Sequence, residues 1–204
     1  MNIFLGFLSA LFYIGLSHNL VFSGGFGSSE VIRTAARPGQ LGIFFLSITY
    51  FSTMTALISR LFLLIPMFKI TEPFISVIIF VAILIAIYFV TLVMIKIALF
   101  KSSWEKEQKE KYYRQISIAA LNTVVLAIPF ISQKTAFGIL DSVGAGLGAG
   151  LAFIIATFFI NEGMVRLEKK KGIPNSFKGT AIVFLYMGII AMAFTGFAGK
   201  SVFF

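Results

Sequence analysis

Cysteine is absent from the 204-residue chain, and histidine occurs once, as His18. Without thiols the chain can form no disulfide and can offer no thiolate to a zinc ion or an iron–sulfur cluster. With one imidazole, a transition-metal site built by this chain alone is not expected. The sequence also lacks a phosphate-binding loop, a nucleophile elbow and a paired histidine and carboxylate, so a membrane enzyme with its own catalytic set has little support.

Charged residues are scarce, at 12% of the chain, whereas 58% of the residues are hydrophobic. The charges cluster in short stretches and leave long apolar runs between them. Runs of about 18 or more apolar residues indicate membrane-spanning helices, because a helix pairs its own backbone groups in lipid. The net charge of +9 is that of loop residues that orient a membrane protein. We therefore predict the lipid bilayer, and no nucleic acid, as a partner.

The predicted fold is an all-α membrane protein with six transmembrane helices in one domain over residues 1–204. The predicted spans are approximately Ile3–Phe22, Leu41–Leu57, Phe74–Leu99, Ile116–Ile131, Phe137–Ile160 and Gly179–Ala198. The short apolar piece Leu61–Phe68 is too short to span, which indicates an interfacial or re-entrant stretch. The mixed charges of Lys101–Arg114 fit either a hinge or a short amphipathic surface helix.

Basic residues give the predicted orientation. Twelve lie in the joints after the first, third and fifth spans, and four lie on the opposite side. Because cytoplasmic loops carry the excess of lysine and arginine, both termini are predicted outside the cytoplasm. The halves, about 1–100 and 115–204, then have opposite topology, as in an inverted repeat with broken helices near the midplane. HNLV at His18–Val21 is weakly similar to LNTV at Leu121–Val124.

Small or amide residues interrupt the apolar segments and are the candidate helix-break or packing positions. They are Asn19, Gly24, Gly25, Gly27, Asn122, Gly144, Gly146 and Gly148. Amides in lipid need hydrogen-bond partners and repeated glycine permits close backbone approach, so each can serve helix packing or a binding site. His18 is either a hydrogen-bonded helix-end residue or a ligand. Glu162 is the candidate ion-path residue, with a helix-end charge facing water as the alternative.

The segment Pro174–Gly199, PNSFKGTAIVFLYMGIIAMAFTGFAG, resembles the closing helix of the Rnf/Nqr membrane-subunit family, particularly its RnfA/NqrE branch. The family has a similar P-x-x-[FY]-[KR]-G opening and a similar G-[FL]-x-G ending. The local settings of Leu63–Pro66 (LLIP), Asn19, Asn122 and Glu162 are also similar. The resemblance extends over nearly the whole chain and is strongest toward its end.

This resemblance implies a six-helix inverted-repeat subunit of a redox-driven, electron-transferring cation pump in a prokaryotic cytoplasmic membrane. The chain would be a non-catalytic subunit of an ion-translocating oxidoreductase. It would pair with a homologous membrane subunit of opposite topology and assemble with other Rnf/Nqr-like subunits. In the family, one cysteine from each helix break helps to hold an iron–sulfur cluster between the paired subunits. That cluster passes electrons between flavins and ferredoxin-like domains.

The chain departs from the family at those cysteines. Where the family has G-L-C-P, this sequence has Gly27-Ser28-Ser29, and where the family has T-N-C, it has Leu121-Asn122-Thr123. Ser29 and Thr123 stand at or near the cysteine positions, and a hydroxyl is a poor iron–sulfur ligand compared with a thiolate. We therefore expect no cofactor bound by this chain alone, and flavins and iron–sulfur clusters in partner subunits.

Two further expectations follow from the same residues. The segments Gly24–Ser29 and Asn122–Thr123 are expected to approach each other near the membrane centre, because inverted halves bring equivalent positions together. The absent cysteines and the helix-breaking glycines also fit a second function. That alternative is a small secondary transporter or scaffold with the same fold and no redox role.

Overall fold

The computed structural model describes residues 3–65, 73–100, 104–170, 172, 174 and 179–198, and every regular element within them is helical. The α-helices are α1 (Ile3–Phe12), α2 (Leu20–Gly24), α3 (Ser28–Ala35), α4 (Leu41–Leu63), α5 (Pro73–Phe100), α6 (Lys106–Ala120), α7 (Thr123–Lys134), α8 (Ile139–Glu168) and α9 (Thr180–Ala198). A π-helical turn, Tyr13–Ser17, continues α1, and a 3-10 turn, Pro38–Gln40, precedes α4.

Among the described residues, four helical stretches are long and apolar enough to cross a membrane. They are Pro38–Leu63, Ile75–Phe100, Lys106–Lys134 and Ile139–Glu168. Phe4–Ser17 and Thr180–Gly196 are apolar but shorter. α5 turns a face of large apolar side chains outward, including Met94 at 64% and Ile97 at 69% exposure, as a lipid-facing helix does. These features make the chain a multi-pass membrane protein.

α8 lies at the centre of the bundle because its glycines let two helices pack closely against it. Gly144 and Gly148 face α1, and a methyl group added at Gly148 would lie 2.6 Å from the carbonyl oxygen of Leu11. Gly146 and Gly150 face α4, and a methyl group at Gly146 would lie 2.7 Å from the amide nitrogen of Thr53. Two small-xxx-small pairs, offset by two residues, thus present two packing faces on one helix.

The remaining core fills the space around this contact with apolar side chains. Phe44, Ile48 and Phe51 of α4 are buried, as are Phe153 of α8 and Ile128 of α7. Gly163 extends the close packing of α8 to α9, where it lies against the ring of Tyr186. Dispersion between closely spaced atoms stabilises such a bundle, since lipid supplies no hydrophobic force between helices.

The structure corrects several boundaries predicted from the sequence. Ile3–Phe22 is not one helix, because it is interrupted at His18 and Asn19. The fourth span begins at Lys106, inside the predicted hinge, because its charged first turns continue directly into the apolar helix. The fifth span runs to Glu168, so Glu162 lies inside the helix. Gly144, Gly146 and Gly148 do not break α8, because packing against α1 and α4 holds them in helical conformation.

Some predicted features lie wholly or partly outside the described residues. α4 ends at Leu63, so the LLIP stretch is described only to Ile65 and Leu61–Phe68 only in its first part. The segment Pro174–Gly199 is described at Pro174 and over 179–198. The following tail to Phe204 is not among the described residues.

Candidate functional site

Asn19 forms the first helix break and caps α2. Its side-chain oxygen accepts hydrogen bonds from the amides of Val21 and Phe22 at 3.1 and 3.3 Å. Its side-chain nitrogen donates to the carbonyl oxygens of Gly15 and Ala152 at 3.2 and 3.1 Å. Asn19 is fully buried. The amide therefore satisfies helix ends on both sides of the break and ties them to α8.

Asn122 forms the second break in the same way and caps α7. Its side-chain oxygen accepts from the amide of Val124 at 3.0 Å, and the residue is 2% exposed. Its side-chain nitrogen is buried and has no hydrogen-bond partner among the described residues. A buried donor without a partner is costly, and in this respect the nitrogen differs from that of Asn19, which makes two hydrogen bonds.

The turn between α2 and α3, which follows the half-helix capped by Asn19, contacts the second break through Gly27. The backbone N–H of Gly27 donates to the Thr123 hydroxyl at 2.8 Å, between residues 96 positions apart. Gly27 has a φ of 70°, a left-handed conformation that favours glycine. A methyl group there would lie 2.6 Å from a methyl carbon of Val124 and 2.8 Å from the side-chain oxygen of Asn122. Glycine is therefore required both by the turn and by the approach to α7.

The other predicted residues of this turn take separate positions. Gly25 has a φ of 69° and ends α2, and Gly24 lies against the ring of Phe26. Ser29 is exposed, and its hydroxyl donates to the Glu30 carboxylate at 2.6 Å. Gly27, rather than Ser29, is thus the residue whose hydrogen bond joins this turn to Thr123.

A cavity of about 480 Å³ lies beside the two breaks. Its wall is mostly apolar side chains of α2 and α7, including Leu20, Leu126 and Phe130. Polar groups come from His18, Ser23, Thr123 and Lys134. The His18 ring is buried and stacks on Tyr13, with ring centroids 5.5 Å apart. The volume is that of a small-ligand or side-chain pocket.

The donor set at these breaks does not fit an iron–sulfur cluster. The chain contains no cysteine, and the Thr123 hydroxyl already accepts a hydrogen bond from Gly27. Within the described residues there is no group of three or more histidine, cysteine, aspartate or glutamate side chains that could hold a metal ion. Hydroxyl oxygens lack the softness that favours iron–sulfur ligation.

The other predicted site residues lie apart from the breaks. Gly144, Gly146 and Gly148 pack α8 against α1 and α4. Glu162 is exposed on α8, with a side-chain oxygen 3.8 Å from Arg166 in a helical ion pair. That is the geometry of a surface charge pair. The ion-path role of Glu162 stays a prediction.

Sequence reasoning missed two features that only the packing reveals. Ser52, Thr55 and Ser59 are buried on α4, and their hydroxyls have no hydrogen-bond partner in the described part of the chain. The sequence shows Ser52 and Thr55 within a polar stripe suited to helix packing, but it gives no sign that their hydroxyls are buried without partners among the described residues. Basic residues of three separate joints also surround one cavity, although each joint by itself indicated only membrane orientation.

No family model matches the chain, but several known proteins are similar to part of it. An RnfA-type protein of the proton-translocating ferredoxin:NAD(+) oxidoreductase complex of Clostridium ljungdahlii is 33% identical over 85 residues, 40% of this chain and 42% of that protein. Its counterpart in the ion-translocating oxidoreductase complex of Colwellia psychrerythraea is 29% identical over 84 residues, 41% of this chain and 43% of that protein. An NqrE-type protein of the Na(+)-translocating NADH-quinone reductase of Neisseria meningitidis is 36% identical over 73 residues, 36% of each chain.

The chain is similar to RnfA- and NqrE-type subunits. This similarity confirms the resemblance predicted from the sequence. The identities of 29–36% mark a divergent relative of these subunits. Each match spans less than half of the relative's own length.

Proposed function

We propose that this protein is a membrane subunit of an Rnf/Nqr-like redox-driven, electron-transferring and ion-translocating complex. The observation that carries the proposal is the similarity to subunits whose names describe ion-translocating oxidoreductases. The similarity favours this function over a secondary transporter or scaffold with no redox role. In this proposal the protein is a non-catalytic subunit that positions its partner subunits in the membrane.

The proposed architecture is a six-helix inverted repeat. Asn19 and Asn122 cap equivalent half-helices, α2 and α7, after equivalent breaks. In this repeat α4 would be equivalent to α8, and these two helices pack on each other. The half-helix α2 packs on α9, and its proposed equivalent α7 packs on α5, the proposed equivalent of α9. These paired relations support a pseudo-two-fold arrangement in which both breaks lie near the midplane.

The proposed partner is a homologous membrane subunit of opposite topology. The cavity beside the breaks is the place where its own helix breaks would pack, because irregular backbone in a membrane must be covered by protein or a cavity. This chain would supply no cluster ligand there. Flavins and iron–sulfur clusters would belong to partner subunits, and any cluster at this interface would depend wholly on the partner's thiolates.

The proposed location is a prokaryotic cytoplasmic membrane, with both termini outside the cytoplasm. The structure supports the assignment of three joints to one side. Arg33, Arg114 and Lys170 come from the joints after the first, third and fifth predicted spans and line one cavity. Basic residues collected at one end of a bundle are typical of its cytoplasmic face.

Purification from native membranes tests the assembly. The tagged chain should co-purify in mild detergent with a homologous membrane subunit and with flavin-bearing or ferredoxin-like subunits, identified by mass spectrometry. Iron and acid-labile sulfide analysis of the chain after separation from these partners should detect no cluster. A stable monomer with no redox partner would contradict the proposal, and redox-independent ion flux in vesicles of the isolated chain would establish the transporter instead.

A further inference from the structure

A second cavity, of about 780 Å³, lies between α3, α6, α8 and α9 at one end of the bundle. Four cationic side chains line it: Arg33, Arg37, Arg114 and Lys170. Glu168 is the one carboxylate on the described wall. None of the four cations lies within 4.0 Å of a carboxylate among the described residues. The cavity therefore concentrates positive charge that this part of the chain leaves without a counterion.

The inner wall of the same cavity is apolar. Ile32 and Met164 are half-buried there, and Val183 is 6% exposed. These side chains come from α3, α8 and α9. An apolar wall with a cationic rim matches a ligand that carries a phosphate group and hydrocarbon on the same molecule.

The chemistry of the rim favours phosphate. Arginine presents planar donors that pair with phosphate oxygens in a bidentate manner. Three arginines line the cavity: Arg33 lies in α3, Arg37 follows α3, and Arg114 lies in α6. Basic pockets between transmembrane helices on the cytoplasmic side are known to take anionic lipid headgroups.

We propose that this cavity binds an anionic diacyl phospholipid of the bilayer, with its phosphate among Arg33, Arg37, Arg114 and Lys170 and its chains along the apolar wall. The single negative charge of the lipid offsets part of the positive charge of the rim, and the lipid fills the space between α3 and α9. It thereby joins the ends of helices that belong to different halves of the chain. The proposal requires only the membrane location of the protein and is independent of its redox partners.

The test measures lipid binding to the full-length purified chain by native mass spectrometry. Dioleoylphosphatidylglycerol should bind at least about tenfold more tightly than dioleoylphosphatidylcholine. Each basic residue near a membrane surface changes anionic-lipid binding about fivefold, so the double variant Arg33→Gln/Arg114→Gln should weaken phosphatidylglycerol binding about 25-fold. Phosphatidylcholine carries the same phosphate beside a choline cation, so its weaker binding should fall by a smaller factor and the preference for phosphatidylglycerol should shrink.

The matched control is Lys106→Gln/Arg166→Gln, which also removes two positive charges. Both control side chains are exposed, at 93% and 80%, and neither lines the cavity. Phosphatidylglycerol binding to the control should stay within about twofold of the parent protein, since neither side chain lines the cavity and each already forms an exposed helical ion pair. An equal loss in control and test variants would overturn the proposal in favour of general surface charge.

Three further measurements keep the proposal falsifiable if the glutamine variant fails to fold. The charge-conserving variant Arg33→Lys/Arg114→Lys should retain a preference for phosphatidylglycerol over phosphatidylcholine. Inorganic phosphate at millimolar concentration should not displace the lipid, whereas displacement would show a site for a free anion. Loss of phosphatidylglycerol selectivity in the complex purified with its partners would instead identify an acidic protein surface as the occupant.

Discussion

Two asparagines with similar positions in their helices make different hydrogen bonds. Asn19 uses both its oxygen and its nitrogen, whereas the buried nitrogen of Asn122 has no partner in the described residues. Both polar atoms of the Asn19 side chain are thus fully used in holding the helix ends together. Within the described ranges, Asn122 retains an unpaired donor where the second break meets the turn between α2 and α3, next to Gly27 and Thr123. At the scale of single residues, the second break is the one with unused chemistry.

The first prediction compares these two asparagines. Asn19→Ala removes four hydrogen bonds and leaves two buried carbonyl oxygens and two helix-end amides to find other partners. We expect a loss of about 2–3 kcal/mol in unfolding free energy, since each unsatisfied buried group is costly. Asn122→Ala removes one such bond and should cost about 1 kcal/mol. Unfolding in detergent measures both, and equal losses would contradict the assignment.

The second prediction concerns the turn between α2 and α3, which contacts the second break at Thr123. Gly27→Ala places a methyl group against Val124 and Asn122 and also strains a positive φ. Gly25→Ala strains a nearly identical φ but would meet only the Ser28 hydroxyl, at 3.9 Å. The difference in unfolding free energy between the two variants therefore isolates the contact of the α2–α3 turn with α7. We expect Gly27→Ala to destabilise the protein by about 1–3 kcal/mol more than Gly25→Ala, by the cost of overpacking, and a difference near zero would argue against this contact.

At the scale of helices, α8 unites the two ends of the chain. Its glycines at 144 and 148 hold α1, and those at 146 and 150 hold α4. Asn161 adds a hydrogen bond from α8 to the Ala35 carbonyl oxygen of α3, at 2.7 Å. Close backbone packing of this kind permits many small contacts and tolerates no added side-chain atom.

The third prediction tests the α1–α8 contact. Gly148→Ala would place a methyl group 2.6 Å from the Leu11 carbonyl oxygen, so the helices must move apart. We expect a loss of about 1–3 kcal/mol in unfolding free energy. Gly188→Ala is the matched control, because it changes a glycine in the apolar helix α9 with nothing within 4 Å. The control should be neutral or slightly stabilising, since alanine favours helix over glycine.

At the scale of the whole molecule, the basic residues gather at one end. The cavity between α3, α6, α8 and α9 brings together residues from three joints that are far apart in the sequence. This convergence is the observation on which both the proposed orientation and the proposed lipid site rest. The opposite joint contributes Lys134 to the cavity beside the helix breaks.

The fourth prediction tests orientation. Reporter domains fused after Lys109 and after Phe204 should lie on opposite sides of the membrane, with Lys109 in the cytoplasm. The excess of lysine and arginine in the joints after the first, third and fifth spans gives this result. Alkaline phosphatase and green fluorescent protein fusions provide complementary signals. A cytoplasmic Phe204 would overturn both the orientation and the proposed relation to the RnfA/NqrE branch.

The sequence by itself determined the class of protein. Apolar length, scarce charge and the absence of cysteine are properties of composition and of short windows, so they indicate helices, a membrane and the lack of thiolate ligands without knowledge of the fold. The sequence also marks Asn19 and Asn122 as helix-break or packing positions, because an amide inside an apolar segment is a local feature, whereas their capping hydrogen bonds are seen in the structure. Family resemblance was readable for the same reason, since it rests on short motifs.

Only the tertiary structure decided which positions meet. The contact of Gly27 with Thr123 joins residues 96 positions apart. The glycines of α8 were predicted as helix-break or packing positions, and only the packing of α1 and α4 against them shows which helix each pair contacts. The basic cavity likewise requires four chain segments to converge. Such contacts depend on how helices cross, and the periodicity of a single helix carries no information about the partner that covers each face.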